Sequence, residues 1–535
     1  MRTDTNTVRG TGTAPDTGTA PDTGTAPDTG TAPDTSAAPH TNTGPGTNTG
    51  PGTNTAPRTA TAPGTNTART TQIFFASTLY GAATLAAALD SGCFAPADRR
   101  LLLVSNNAAT PETATPVDRM PGFERLRGRF DGVLSWNEAI APFHPGGWSP
   151  RPDDAPMWER YLRMLWDLGD DRIELALESI QVNPALAVAQ LFPDARLDVY
   201  ADGLMSYGPT RNKIDPLVGE RVRRLLHLDL VPGLTPLLLE EFGARPETVP
   251  TEAFTKVAAE LADPTELAEL AELAGLDAAG ATAGASDRAS DRASDGSADR
   301  PGEQPALLLG QYLASLGILT AEEEEALHLR MVRGAVAHGH RRLVFKPHPV
   351  APSAWSRALE REAEKLGAEL TLVDRPVLAE VLYRQLRPAL VVGCFSTALM
   401  TASTFYGIPV ARVGTAPLLD RLKPYQNSNR VPVTLVDALI PDLESGRPGA
   451  PCPADGELSG LVRAVGFAMQ PQIRADLRPA AEAYLAARLT DGSASYFKRR
   501  RLTVLGLPGG LPVPRHAAIR RVARRVRRIK RAALG

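Results

Sequence analysis

The segment Lys346-Pro347-His348-Pro349 places a lysine and a histidine among prolines. It follows Phe345 and the apolar pair at residues 343–344. Each proline fixes its own φ and restricts the residue before it, so the imidazole is preorganised for a ligand. An imidazole can hydrogen-bond or protonate a departing phosphate near neutral pH, and Lys346 adds a positive charge. We therefore predict a phosphate-handling turn; the alternative is an ordinary turn histidine after a strand.

A second candidate follows the apolar run at residues 389–393, where Ser396 and Thr397 stand before a segment of helical pattern. Hydroxyl side chains cap helix N-termini, and the free N–H groups there bind anions. Many such pairs do no more than start a helix. A cap that follows a parallel strand, however, points into the crevice where nucleotides bind, so we predict that Ser396 and Thr397 contact phosphate.

Asp202 and Gly203 follow a third predicted strand, at residues 197–200. A carboxylate at this place is suited to take a proton from an acceptor hydroxyl, as an inverting group transfer requires. The alternative is a turn aspartate that bonds to its own backbone.

Other polar residues also follow predicted strands. Asn106, Asn107 and Glu178 are candidates to bind an acceptor, and Gly310 and Gln311 are candidates to line a nucleotide pocket. Polar residues are also usual in loops after strands.

Short apolar runs alternate with longer helical patterns along the chain, which is typical of parallel sheets flanked by helices. The predicted strands are residues 72–76, 101–104, 132–134, 172–176 and 197–200, then 306–309, 342–346, 369–373, 389–392 and 409–413. Thr320 and Glu323 form a capping-box pattern that predicts a helix start. Helical patterning over residues 457–489 predicts helices that pack back across both halves. The fold class expected is α/β, with two Rossmann-like domains that face each other across a cleft.

Biased segments divide the 535 residues further. Residues 1–70 include four copies of Thr-Gly-Thr-Ala-Pro-Asp, and residues 281–304 repeat Ala-Ser-Asp-Arg, so we predict a disordered tail and a flexible linker. The domains expected are residues 71–280 and 305–491. Three cysteines without metal-ligand spacing, and no apolar leader or spanning segment, lead us to expect a cytoplasmic protein without a metal or other cofactor.

Residues 492–535 contain many basic residues and no acidic residue. Ile519, Val522, Val526 and Ile529 recur at spacings of three and four among arginines, which predicts an amphipathic basic helix. Such a helix suits an anionic membrane surface, and we expect it to dock on the inner face of the cell membrane. The alternatives are a solvated tail and a nucleic-acid-binding segment, which the lack of aromatic residues disfavours.

Taken in order, Tyr200-Ala201-Asp202-Gly203, Lys346-Pro347-His348-Pro349 and Ser396-Thr397 resemble the three motifs of bacterial sialyltransferases of the alpha-2,8-polysialyltransferase-like family. The resemblance covers about residues 71–489. It implies a GT-B fold whose C-terminal domain (Lys346, Pro347, Pro349, Ser396, Thr397, Gly310 and Gln311) binds a CMP-sugar donor. The N-terminal domain (Asn106, Asn107 and Glu178) would bind a glycan or glycolipid acceptor.

The resemblance also implies roles in a metal-free, inverting transfer of sialic acid or a related nonulosonic acid. Asp202 resembles the general base and His348 the group that protonates the CMP phosphate. One position departs from the family. Where the family triplet begins with an acidic residue, this chain has Ala201. The alternatives are a CDP-glycerol, CDP-ribitol or Kdo transferase of GT-B type, and a non-catalytic, membrane-docked protein that binds nucleotide sugars.

Overall fold

The computed structural model describes residues 69–262, 304–347, 353–452, 456–489 and 491–511. His348, Pro349, nearly all of the predicted N-terminal tail and linker, and the basic helix near the C-terminus lie outside these residues. Within them, no helix is both long enough and apolar enough to cross a bilayer.

The first half of the chain forms a sheet of seven strands, all parallel, in the order β3-β2-β1-β4-β5-β6-β7. The strands are β1 (Thr70–Ala76), β2 (Arg99–Val104), β3 (Gly132–Ser135), β4 (Arg172–Glu178), β5 (Arg196–Ala201), β6 (Val222–Leu228) and β7 (Arg245–Val249). In β1, Phe74 packs on one face of the sheet and Phe75 on the other, and both are buried. Burial on both faces is why β1 is apolar without alternation.

Helices flank this sheet. They are α1 (Leu79–Asp90), α2 (Glu124–Arg127), α3 (Trp136–Ala139), α4 (Ala155–Leu165), α5 (Ala185–Leu191), α6 (Pro216–Gly219) and α7 (Thr251–Glu260). Short 3-10 turns occur at Val117–Arg119, Pro152–Asp154, Leu204–Tyr207 and Glu240–Phe242.

The second half forms a sheet of five parallel strands in the order β10-β9-β8-β11-β12. The strands are β8 (Ala306–Leu309), β9 (Arg342–Lys346), β10 (Glu369–Leu372), β11 (Leu390–Gly393) and β12 (Val410–Arg412). The helices that follow its strands are α8 (Ala321–Ala337), α9 (Ser353–Lys365), α10 (Ala379–Leu386), α11 (Thr397–Tyr406), α12 (Thr415–Arg421) and α13 (Arg430–Leu439). The prediction of an α/β fold with two Rossmann-like sheets is confirmed.

The chain then returns to the first half. The last elements are α14 (Gly456–Met469), a 3-10 turn (Ala475–Leu477), α15 (Arg478–Arg488), α16 (Asp491–Ala494) and α17 (Arg499–Leu505). Gln470 Nε2 donates to the backbone oxygen of Arg211 over 2.6 Å, and Arg474 Nη2 donates to Glu240 Oε2 over 2.7 Å. The predicted packing of this segment across both halves is therefore observed.

Each predicted strand is present, but the sequence prediction omitted β6 and β7. Arg223 and Arg224 interrupt the apolar pattern of β6. In the structure both guanidinium groups bond to the buried Asp198 of β5, over 2.8 and 2.9 Å. Because this pairing compensates the charges, a strand with two arginines can lie inside the sheet.

Candidate active site

A cavity of about 610 Å³ lies where the carboxyl ends of the two sheets face each other. Ser77, which follows β1, and Glu178, which ends β4, line it from the first sheet. Gly310, which follows β8, and Ser396, which follows β11, line it from the second sheet. In each sheet the strand order reverses between these two strands, and open α/β sheets bind ligands at such switch points.

The cavity brings together most of the residues that the sequence predicts for a site. They are Asp202, Glu178, Asn107, Gly310, Gln311, Ser396 and Thr397. Lys346 and Pro347 are not among its lining residues, and neither is Asn106.

Asp202 follows β5, and it is half-buried near Glu178 on the neighbouring strand. In the pairing of β4 with β5, Glu178 stands opposite Tyr200. Burial raises the pKa of Asp202 to about 7, and the charge of Glu178 adds to the rise. Burial likewise raises the pKa of Glu178, although Ser77 N and Oγ donate to its Oε2 over 3.0 and 2.6 Å. Asp202 is thus able to exchange a proton near neutral pH.

The first turn of α1 lies against Asp202. Thr78 caps this helix, since its Oγ1 accepts from Gly81 N over 2.9 Å. A Cβ atom at Gly81 would lie 2.7 Å from the hydroxyl of Tyr200 and 3.5 Å from Asp202 Oδ2. Only glycine allows the helix to approach the end of β5 this closely.

Ser396 and Thr397 have different roles in the structure, although the sequence prediction treated both as caps. Ser396 caps α11, because its Oγ accepts from Ala398 N over 3.2 Å. Thr397 is the first helical residue, and its Oγ1 accepts from Leu204 N of the first half over 3.4 Å. A Cβ atom at Gly203 would lie 3.1 Å from Thr397 Oγ1, so Gly203 allows the two halves to meet beside Asp202.

The opposite wall of the cavity includes the loop after β8. Gly310 N donates to the backbone oxygen of Lys346 over 2.8 Å, and a Cβ at Gly310 would lie 3.0 Å from the Cα of Pro347. Gln311 N donates to His328 Nε2 over 3.1 Å. Burial lowers the pKa of His328 to about 4, so its imidazole is neutral and accepts this bond.

Glu324 holds the rest of this loop, because its carboxylate accepts from Leu313 N over 2.7 Å and from Ala314 N over 2.8 Å. The sequence prediction missed both Glu324 and His328. Their spacing of four on α8 places them on one buried face, which was the available signal.

Lys346 ends β9 and is half-buried near Glu380, a buried residue of α10. Burial lowers the pKa of the Lys346 ammonium group, and the charge of Glu380 opposes that change. The Glu380 carboxylate accepts from Thr401 Oγ1 over 2.6 Å. Among the described residues, the charge that acts on Lys346 is therefore that of Glu380, and Lys346 does not line the cavity.

The two asparagines after β2 line different cavities. Asn107 lines the cavity, and its Oδ1 accepts from Ser105 Oγ over 2.7 Å. Asn106 instead organises its own loop, because its Nδ2 donates to the backbone oxygens of Pro111 and Ala114, both over 3.0 Å. Asn106 lines a separate cavity of about 530 Å³.

Other residues line the main cavity without having been predicted. Four of them are Val182, Asn183, Met205 and Arg211. None of these four directly follows a strand, so the sequence offered no positional signal for them. Within the described parts of the chain, no group of three or more His, Cys, Asp or Glu side chains has the arrangement of a metal site.

Comparison with known proteins gives one family match. The sequence model of the family described as Alpha-2,8-polysialyltransferase (POLYST) matches residues 72–415. A search of curated proteins finds no match.

Solved structures with low sequence identity are also similar to this chain. An O-GlcNAc transferase mutant from Thermobaculum terrenum is 14% identical, with a TM-score of 0.33 over 80% of this chain and 66% of that chain. MurG from Acinetobacter baumannii is 10% identical, with a TM-score of 0.34 over 79% of this chain and 97% of that chain. A UDP-glucosyltransferase from Polygonum tinctorium is 12% identical, with a TM-score of 0.33 over 82% and 98%.

Proposed function

This chain is a glycosyltransferase that belongs to the alpha-2,8-polysialyltransferase family, and from that premise we propose that it transfers sialic acid, or a related nonulosonic acid, from a CMP-linked donor to a glycan or glycolipid acceptor. The transfer inverts the anomeric configuration and needs no metal. The first half (residues 71–280) holds the acceptor, and the second half (residues 305–491) holds the donor.

One observation carries this proposal: a carboxylate with a pKa of about 7 and the capped N-terminus of α11 line the same cavity. Asp202 takes the proton of the acceptor hydroxyl, because a base is most effective when its pKa lies near the working pH. The Ser396 hydroxyl and the free N–H groups of α11 hold the phosphate of CMP as it leaves.

Ala201 replaces the first acidic residue of the family triplet, but Asp202 still has a second carboxylate beside it. Glu178 stands on the adjacent strand and raises the pKa of Asp202 by its charge. We infer that Glu178 compensates for the missing acid at position 201, and this favours a catalytic protein over a non-catalytic scaffold.

Three further assignments are proposals that rest on the sequence. His348, with Pro347 and Pro349 around it, protonates the leaving phosphate, and Lys346 adds a positive charge behind it. The basic helix within residues 492–535 docks the enzyme on an anionic membrane from the cytoplasmic side.

The test is release of CMP from CMP-sialic acid, in EDTA, with sialylated and galactosylated acceptors. We expect acceptor-dependent release by the parent and a loss of about 100-fold or more in Asp202→Asn. Asp194→Asn, which changes an exposed aspartate that does not line the cavity, should retain parental activity. Release that Asp202→Asn leaves within a few-fold of the parent would remove Asp202 as the base.

The same assay separates the alternative donors. Activity with CDP-glycerol, CDP-ribitol or CMP-Kdo, but not with CMP-sialic acid, would replace the proposed donor. Binding of CMP with no turnover of any of these donors would indicate a non-catalytic protein.

A further inference from the structure

Arg211 lines the main cavity from the first half of the chain, where its guanidinium group supplies a positive charge. Its Nε atom is buried and has no hydrogen-bond partner in the part of the chain that the structure describes. Among the residues that the structure describes, no carboxylate forms an ion pair with Arg211, and burial lowers the pKa of its guanidinium group. Arg211 is only partly buried, but a cation with a buried, unpaired N–H donor is costly, so such a group is typical of a site that receives an anion.

The backbone of Arg211, not its side chain, holds the surrounding loop in place. Arg211 N donates to Gln181 Oε1 over 2.6 Å, and the Arg211 oxygen accepts from Gln470 Nε2 over 2.6 Å. Asn212 Nδ2 donates to the backbone oxygen of Gln181 over 3.1 Å. Because these contacts do not involve the guanidinium group, a substitution at Arg211 leaves them available.

The neighbouring cavity residues extend the pattern beyond one charge. Asn183 Oδ1 is buried without a hydrogen-bond partner among the described residues, so it is free to accept from a ligand hydroxyl or N–H. Val182 and Met205 line the same cavity and are exposed to 46% and 47%, which is high for apolar side chains. Together these residues offer a cation, a hydrogen-bond acceptor and an apolar surface.

We propose that Arg211 binds the carboxylate of an acid sugar in the cleft, with Asn183 bonded to a polar substituent of that sugar and Val182 and Met205 against its apolar parts. This inference rests on the proposed function, and it adds the residue that makes the site select acid sugars. Planar guanidinium groups match carboxylates with two parallel hydrogen bonds. The donor phosphate has its own candidate site at the N-terminus of α11.

Two sugars in the reaction can supply this carboxylate: the sialic acid of the donor and the terminal sialic acid of an anionic acceptor. The variants that decide are Arg211→Gln, which removes the charge, and Arg211→Lys, which keeps it without the planar fork. Lys213→Gln is the matched control, since Lys213 is an exposed cation two residues away that does not line the cavity. Circular dichroism and the Tm establish that each variant is folded.

The acceptor arm compares a sialylated oligosaccharide with the same oligosaccharide whose carboxyl is converted to an amide. If Arg211 binds the acceptor carboxylate, Arg211→Gln lowers kcat/KM for the acid about 10- to 100-fold and hardly changes kcat/KM for the amide. The donor arm compares the Kd values of CMP-sialic acid and CMP by titration calorimetry. If Arg211 binds the donor carboxylate, only the affinity for CMP-sialic acid falls.

Arg211→Lys should lie between the parent and Arg211→Gln in the arm that responds, while Lys213→Gln matches the parent. Suppose instead that Arg211→Gln lowers kcat/KM equally for the acid and amide acceptors and leaves the ratio of the Kd values of CMP-sialic acid and CMP unchanged. That result would contradict the inference while leaving the proposed function intact. Equal weakening of CMP and CMP-sialic acid would assign Arg211 to the nucleotide or its phosphate and would also overturn it. A parent that neither transfers from nor binds CMP-sialic acid would contradict the proposed function, and this inference with it.

Discussion

At the scale of single residues, the titration of Asp202 follows from its position at the end of β5. A carboxylate buried beside a second carboxylate holds its proton to higher pH than one in water. Both conditions apply to Asp202, since burial and the charge of Glu178 raise its pKa to about 7. The two groups titrate as a coupled pair, so a change at one is expected to alter the pH dependence of the other.

Glu178→Gln tests this coupling. Gln keeps an oxygen that can accept from Ser77, but it removes the negative charge that raises the pKa of Asp202. Because the base must be deprotonated, activity rises with pH through that pKa, and the variant should reach half of its maximum at a lower pH than the parent. The measurement is kcat/KM as a function of pH. If kcat/KM of the variant reaches half of its maximum at the parental pH or at a higher pH, Glu178 does not act through Asp202.

A second prediction concerns the stability of the Asp202→Asn variant as a function of pH. The folded protein retains the Asp202 proton up to a pH of about 7, whereas the unfolded chain releases it at the ordinary carboxyl pKa of about 4. The parent therefore loses stability as pH rises through this interval, and the asparagine variant does not. We expect Asp202→Asn to gain Tm relative to the parent at neutral pH, with the gain vanishing below about pH 4. A Tm difference that does not change with pH would contradict the raised pKa.

At the scale of elements, two helix N-termini converge on the cavity, α1 from the first sheet and α11 from the second. Their caps are local: Thr78 bonds to Gly81 and Ser396 bonds to Ala398. Their partners are not local, because α1 approaches Tyr200 and Asp202 while α11 reaches Leu204. Glycines at positions 81 and 203 are what make these approaches close enough.

Gly81→Ala tests the approach of α1. The new Cβ would lie 2.7 Å from the hydroxyl of Tyr200, which is fully buried and donates to the backbone oxygen of Phe75 over 3.0 Å. Either α1 or Tyr200 must shift, so we expect the free energy of unfolding to fall by about 1–3 kcal/mol and the turnover to fall with it. Gly128→Ala is the matched control, since a Cβ there meets no atom within 4 Å. If denaturant unfolding gives the two variants the same free energy of unfolding, the close contact between α1 and Tyr200 is contradicted.

The same division between local and distant contacts explains what the sequence could predict. The strand that precedes Ser396 and the capping box of Thr320 with Glu323 are local patterns, and the structure contains both. The turn of the Thr397 hydroxyl toward Leu204 depends on a residue 193 positions away, so no local pattern could reveal it. Arg211 was missed for the same reason, because its position in the cavity depends on Gln181 and Gln470. The roles given to Asp202, His348 and the other site residues stay predictions.

At the scale of the whole molecule, the proposed reaction uses groups from both halves, so it requires that their relative position be maintained. The contacts between Thr397 and Leu204 and between Thr404 and Leu230 are single hydrogen bonds of 3.4 and 3.2 Å. The segment after the second sheet adds a stronger connection. Arg474, exposed to only 1%, bonds to Glu240 Oε2 over 2.7 Å and to the Leu237 oxygen over 3.2 Å.

Arg474→Ala should therefore make the relative position of the two halves less fixed without weakening binding at the proposed donor site. The phosphate site proposed at α11 lies wholly in the second half, so the Kd of CMP should remain near the parental value. The proposed mechanism needs Asp202 opposite that site, and we expect kcat to fall about 10-fold or more, as small displacements of catalytic groups are costly. The free energy of unfolding should fall by about 1–3 kcal/mol.

Arg463→Ala provides the comparison, because Arg463 also bonds to Glu240, over 3.3 Å, but is one-third exposed. An exposed ion pair contributes little, so this variant should stay within about 1 kcal/mol of the parent and keep its kcat. If Arg474→Ala weakens CMP binding as much as it lowers kcat, the segment supports the fold of the second half rather than its position against the first. If it lowers kcat alone, the return of α14 and α15 to the first half is what keeps the base facing the donor.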